Sequence, residues 1–304
     1  MIMEGERAHF RARLGPVGVW SFALQAQTAV DEIDAAAEIE ALGYPAVWIP
    51  ESVESKEILS HVSLLLAGTR RLVVAAGIAN IWARDATAMA NGHKTIADAY
   101  PGRFVLGLGV SDSASVAERG GIYERPYEAM RTYLDAMELA HYEAPEPERP
   151  APTLIAALGP RMLALAAKRS MGAHSYFVPV EHTAEARRLL GREPVLAVEQ
   201  TVVLETNPSR ARDIGRRFAI DYLELPNYSN NLRRLGWSDN DVAGSGSDRL
   251  IDAVVPWGSV PTIRKRVREH LDAGADHVCI QVLGADPTDV CLMELRELAP
   301  ALLS

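Results

Sequence analysis

Arg103-Phe104-Val105-Leu106-Gly107-Leu108-Gly109-Val110-Ser111-Asp112-Ser113 is the stretch whose reading decides the fold. Its apolar run predicts a strand buried on both faces, because a strand with one wet face alternates with polar residues. The run opens through two glycines into polar residues before the next helix, and α/β proteins place ligands at such strand exits. Gly107-x-Gly109 begins like a dinucleotide fingerprint, but Asp112 stands where the third glycine belongs, so the match is weak. A tight strand-to-helix turn explains the pair as well.

Outward from this stretch, strand and helix signals alternate along almost the whole chain. Strands are expected at 15–22, 46–50, 72–81, 103–109, 153–157, 174–178, 195–204 and 277–283. Helical periodicity covers 29–42, 56–69, 85–99, 127–141, 160–170, 183–190, 209–223 and 260–273, and a closing helix falls near 288–298. Eight βα units predict an α/β protein of one domain over 1–304, a (β/α)8 TIM barrel with its chemistry at the C-terminal strand ends. Two segments break the alternation. The acidic, proline-rich 143–152 reads as a solvated connection on the N-terminal side of the barrel. The other, 224–257, is an insertion after the seventh strand's helix: a surface cap, or a lid whose Tyr228 and Trp237 roof the barrel mouth.

Composition narrows the partners. No run of about 18 uncharged apolar residues is present, so no membrane span is expected, and the start lacks the order of a secretory signal. A cytoplasmic protein is the expectation. The net charge of -9 argues against general affinity for nucleic acid or anionic membrane, with a local basic pocket still open; a small-molecule substrate is the expected partner. Cys279 and Cys291 form no CxxC pattern and read as small buried hydrophobes. The eight histidines show no His-x-His or HExxH spacing, so no metal is expected, and no GxSxG elbow offers a serine nucleophile.

If the barrel closes, its strand ends converge. Trp20, Glu51, Asn80, Trp82, Ser111, Asp112 and the small residues Ala156, Ala157 and Gly159 would then surround one mouth, and such a lining suits a flat organic ring. Glu51 either holds a proton because desolvation disfavours its charge, or caps a turn or pairs with an arginine. Asp112 is a second acid or the N-cap of a turn at Ser113-Ala114-Ser115. Pro160 starts a helix whose amides favour an anion, with Arg161 adding charge; an efficient helix start explains it equally. Glu199 and Gln281, polar within buried strands, read as structural hydrogen-bonding groups inside the barrel.

Together, residues 18–20, 40–51, 76–85, 101–109 and 270–278 resemble the bacterial luciferase-like superfamily, and within it the branch that uses the deazaflavin coenzyme F420. The resemblance implies a barrel holding a flavin-like ring at its mouth, in an enzyme that is usually a homodimer. It implies a non-proline cis peptide around Ala76-Gly77-Ile78 that backs the ring. Asn80, Gly109, Val110, Ser111 and Ser113, with Ala156, Ala157, Gly159 and Arg161, would meet the coenzyme. Glu51 falls where related enzymes carry an acid/base residue, and Asp112 lies near a second such position. Trp20, Trp82, Tyr228 and Trp237 would shape the substrate cavity. Pro50-Glu51 replaces the Asp-His pair of the branch's sugar-phosphate dehydrogenases, so their substrate is not implied. The implied reaction is hydride transfer between F420 and a small, partly apolar organic molecule. The rivals are an FMN-dependent monooxygenase of the same fold and a non-catalytic flavin-binding barrel.

Overall fold

The computed structural model describes residues 4–304. Nine parallel strands form one sheet: β1 (Val17–Trp20), β2 (Ala46–Ile49), β3 (Val73–Ala76), β4 (Ala79–Asn80), β5 (Phe104–Gly109), β6 (Thr153–Ala156), β7 (Gly172–Ser175), β8 (Val195–Val202) and β9 (His277–Val282). Pairing of β3 with β5 closes the sheet on itself. The two-residue β4 continues β3 beyond a bulge and pairs with β5 through Ala79–Leu108 and Asn80–Gly109, so the barrel has eight staves. The expected (β/α)8 barrel is therefore the observed one.

The first helices are α1 (Glu4–Leu14), α2 (Ala29–Ala41), α3 (Ile58–Gly68), α4 (Ala86–Ala99), α5 (Ser113–Glu118), α6 (Pro126–Glu138) and α7 (Pro160–Arg169). They are followed by α8 (Val180–Leu190), α9 (Pro208–Glu224), α10 (Pro226–Arg234), α11 (Asp239–Val242), α12 (Asp248–Val254), α13 (Val260–Asp272) and α14 (Leu292–Leu302). Their starts follow from local chemistry. Thr28, Glu57, Asp85 and Asn207 each turn a side-chain oxygen onto a first-turn amide of α2, α3, α4 and α9, groups that otherwise have no partner within the helix.

Strand alternation divides the apolar residues into two cores. Outward residues such as Val47, Val74, Leu106 and Val198 meet the helices. Inward ones, including Trp20, Trp48, Val105 and Ala197, fill the lumen, and Phe10 and Leu14 of α1 pack with them. Helix α1 was not anticipated from the sequence. The sixth stave, β7, starts earlier than the expected 174–178, and Phe177 at φ 53° ends the extended run. The insertion 224–257 is mostly helical: α10, α11 and α12 build a third core with α9. No helix among the described residues is long and apolar enough to cross a membrane.

Candidate active site at the barrel mouth

The site is organised by the bulge between β3 and β4, where the Gly77–Ile78 peptide is cis. This is where the resemblance led one to expect it. A Cβ on Gly107 would stand 2.1 Å from the Ala76 carbonyl oxygen, and one on Gly109 would stand 2.4 Å from Ile78 Cγ1. Both glycines are thus required for β5 to lie against the bulge, and the Gly-x-Gly pair is a packing device, not a phosphate turn. Gly77 is confined too, since a Cβ there would meet the Trp20 indole nitrogen at 2.8 Å.

Aromatic rings surround the bulge. Trp20 is buried, with Phe22 edge-on at 4.5 Å and Tyr176 tilted at 5.0 Å. The Trp82 indole N–H donates to the Val110 carbonyl at 2.9 Å, and its backbone N–H donates to Asn80 Oδ1 at 3.0 Å. Ser111 holds a left-handed φ of 56° at the β5 exit, where Tyr123 OH reaches its carbonyl. Tyr176 OH donates to Gln281 Oε1 at 2.7 Å and lies 3.1 Å from Tyr222 OH. Tyr228 of α10 stands edge-on to Tyr222 at 5.2 Å. Burial pushes the Tyr228 hydroxyl up, and the charges of Glu199 and Asp112 add to that push. Tyr228 also lies 6.4 Å from the Tyr176 ring and 5.9 Å from the Phe177 ring, which sets α10 of the insertion against the β7 exit.

Several expected site residues sit differently from their reading. Glu51 is not an isolated carboxyl: both its oxygens meet the Arg84 guanidinium, and Oε2 accepts the Asn80 backbone N–H at 2.7 Å. Its acceptors are committed to an ion pair that ties the β2 exit to β4, which was the plainer of the two sequence readings. Burial lowers the Arg84 pKa, but the hydrogen bond and charge of Glu51 outweigh it and hold the guanidinium above its ordinary value. Asp112 caps α5, accepting from Ala114 N and Ser115 N at 2.9 Å and from Ser115 Oγ at 2.8 Å. The α5 amides are therefore taken, with the exposed Ser113 heading the helix. Arg161 turns away from the mouth: it is exposed, with its guanidinium 4.3 Å over Tyr127 and 3.6 Å from Glu128. Trp237 packs inside the insertion, 4.4 Å beneath Arg249.

The start of α7 is different. Gly159 is its N-cap, no side chain caps it, and a Cβ at Gly159 would meet nothing within 4 Å. Ala156 and Ala157 precede it at the β6 exit, with Ala157 N bonded to the His174 carbonyl at 3.0 Å. Open amides beside small residues suit a phosphate or carboxylate group. Sequence reasoning overlooked Arg84, Tyr176 and Tyr222. The run 174–178 reads Tyr176 as a strand residue, and Tyr222 falls in a helix whose inner face only the insertion defines.

A parallel barrel with a cis bulge after its third stave and an aromatic mouth defines the class: a (β/α)8 barrel with its site at the C-terminal strand ends. The chain belongs to the luciferase-like monooxygenase family, which it matches over residues 16–277. A 5,10-methylenetetrahydromethanopterin reductase from Methanolobus tindarius is 24% identical over 281 residues, covering 79% of this chain and 86% of that protein. Among solved structures, an F420-dependent secondary alcohol dehydrogenase in complex with an F420-acetone adduct superposes with a TM-score of 0.74 at 14% identity, covering 94% of this chain and 98% of the other. The oxygenating constituent of 3,6-diketocamphane monooxygenase from the CAM plasmid of Pseudomonas putida, in complex with FMN, gives 0.64 at 17% identity, covering 94% and 98%. At these identities the structural likenesses are of fold.

Proposed function

We propose that the protein is an oxidoreductase that moves a hydride between coenzyme F420 and a small, partly apolar organic substrate at the barrel mouth. The observation that carries this reading is the mouth itself: the β3–β4 bulge packs on Gly107 and Gly109 and against the Trp20 indole, so backbone and an aromatic ring meet at the strand ends. The relative named as a methylenetetrahydromethanopterin reductase and the F420-dependent neighbour support the choice of coenzyme.

In this reading Ala76, Gly77, Ile78 and Asn80 would back the ring. Gly109, Val110 and Ser111 would flank it, and the open α7 start at Ala156, Ala157 and Gly159 would receive the coenzyme's anionic end. When bound, F420 gives or takes a hydride at carbon 5 of its deazaflavin ring. The chain's own residues orient the reactants and exclude water. Trp20, Trp82 and Tyr176 wall the cavity, Tyr228 covers it from the 224–257 segment, and Glu51 with Arg84 holds the bulge in position. A homodimer remains part of this reading, on the family resemblance.

A second reading, a flavin mononucleotide monooxygenase, is favoured by the FMN-bound neighbour of the same fold. The two separate in one experiment. Purified protein is mixed with F420 and panels of secondary alcohols, or with reduced F420 and cyclic ketones and enones, and the coenzyme's absorbance is followed. Substrate-dependent change in F420 supports hydride transfer. Inertness toward F420, with oxygen uptake on reduced FMN, supports the alternative, and inertness toward both supports a binding barrel.

A further inference from the structure

Among the described residues three acidic residues are buried, Glu32, Asp241 and Glu199, and the side chain of Glu51 is buried against Arg84. Glu32 faces Lys56 at 2.5 Å and His61 at 2.7 Å, and Asp241 faces Arg249 at 2.5 Å. Glu199 is 1% exposed and is held by neutral donors: Thr201 Oγ1 to Oε1 at 2.6 Å, and Phe177 N to Oε2 at 3.2 Å. Cys279 of β9 lies opposite it in the sheet, the Phe177 amide sets the end of β7 with Tyr176 beside it, and the rings of Tyr222 from α9 and Tyr228 from α10 lie against Tyr176. Cys279 and the three tyrosines stay neutral near pH 7, and no ammonium, guanidinium or imidazole makes contact with Glu199 among the described residues.

A buried carboxyl with no cation keeps its proton, because a hydroxyl and an amide return less than desolvation of the charge costs. Burial accordingly pushes Glu199 up to about 8, against the pull of its Thr201 and Phe177 hydrogen bonds. Its placement matters as much. Alternation along β8 turns Val195, Ala197 and Glu199 into the lumen, and Val198 lies opposite Ser175 of β7. Glu199 therefore stands level with Tyr176, whose hydroxyl joins Gln281 and Tyr222 and whose ring touches Trp20 at the mouth. Glu51 and Asp112 have their oxygens occupied by Arg84 and by the α5 cap.

We propose that Glu199 is the proton store of the reaction, exchanging its proton with the substrate through Tyr176, the residue that precedes the Phe177 amide Glu199 accepts from. The proposal rests on the hydride-transfer reading. In the reducing direction, a hydride supplied by reduced F420 forms a C–H bond at the carbonyl carbon of a ketone while the C=O π pair moves to oxygen. That oxygen takes the Tyr176 proton, and Tyr176 is reprotonated from Glu199, so the ketone is reduced to an alcohol and the coenzyme is oxidised. Solvent then returns a proton to the Glu199 carboxylate. In the oxidising direction the ionised carboxylate receives the alcohol's proton by the same path. Glu199 is thus a positioning residue for the proton, acting through Tyr176.

Infrared spectra of apoprotein labelled with 13C-glutamate test the first half. A protonated carboxyl band is expected at pH 7, disappearing with a midpoint near pH 8 and missing from Glu199→Gln. Should Glu199→Gln fail to fold, Thr201→Val, which removes a hydrogen bond from Oε1, is expected to move the midpoint upward. A wild-type spectrum without the band at pH 7, or a band that Thr201→Val leaves unmoved, overturns the proposal. For the second half, reduced F420 is mixed with a panel of cyclic ketones. Glu199→Gln is expected to bind F420 as the wild type does, to react about 10²- to 10⁴-fold more slowly, and to lose the inflection near pH 8. A Glu199→Gln protein with wild-type rate and pH profile removes Glu199 from the reaction and leaves the hydride-transfer reading standing. A wild type that neither binds nor oxidises reduced F420 brings down both.

Discussion

Gly107 faces Ala76 so closely that a Cβ on the glycine would stand 2.1 Å from the alanine carbonyl oxygen. Backbone cannot yield as a flexible side chain can, so Gly107→Ala is expected to cost about 3 kcal/mol or more, at the top of the overpacking range. Gly159→Ala, at a position open to space, is expected to cost about 1 kcal/mol, the loss of a favourable N-cap residue. Urea unfolding of the two variants measures the contrast, and equal midpoints would mean that β5 does not need its glycines.

Glu51 and Arg84 form an ion pair whose side chains are 3% and 13% exposed. Removing Arg84 strands Glu51, whereas removing Glu51 leaves Arg84 its second partner Glu57 at 2.9 Å, so Arg84→Ala is expected to destabilise by about 3 kcal/mol or more and Glu51→Ala by less. The double variant should lose less than the sum, since neither charge is left alone. A double-mutant cycle in denaturant checks this, and strict additivity would deny the coupling.

Acid should weaken the fold through histidines buried in the lumen. Burial, then the neighbouring His277, pushes His174 down from 6.5 to about 3, and burial pushes His277 down to about 4 despite its hydrogen bond to Gly15. Their folded-state values lie below the unfolded ones, so the associated stability is present above pH 6.5 and is lost as pH falls toward 3 to 4. His174 stacks on Trp48 at 4.5 Å, so Phe preserves the ring contact without the charge. His174→Phe is expected to move the acid-unfolding midpoint to lower pH, as followed by tryptophan fluorescence.

Glu199 has the opposite slope. Its folded value of about 8 lies above the ordinary 4.5, so the folded state holds the extra proton and stability falls as pH rises from 4.5 through 8. Above pH 6.5 the contribution of the buried histidines no longer changes with pH, which isolates the effect. Chemical denaturation of wild type and Glu199→Gln between pH 6.5 and 9 should show a decline in the first that is flattened in the second.

How much of this was legible in the chain depends on what each residue touches. The run 103–109 announced its strand because residues 104–109 are all buried, and the alternation of elements announced the closed barrel. The Gly107–Gly109 pair could be found but not explained, because the Ala76 carbonyl and Ile78 side chain that exclude a Cβ arrive from another stave. Tyr176-Phe177 looked like strand, yet Phe177 takes a left-handed φ that a bulky aromatic gives no hint of. The helices of 224–257 had start signals at Pro226, Ser238 and Ser247 that the surrounding Asn, Gly and Ser residues masked. Glu51 was correctly singled out as a strand-end residue, but whether it meets an arginine or an apolar wall is decided by Arg84, which lies beyond the next strand.

The account turns on the mouth accepting a deazaflavin. Equilibrium titration of the apoprotein with F420, and in parallel with FMN, following ligand and tryptophan fluorescence, tests this most directly. Saturable one-to-one binding of F420, weakened by Gly77→Ala at the bulge and not displaced by equimolar FMN, is the predicted result. Binding of FMN alone, or F420 binding indifferent to the bulge, would contradict it.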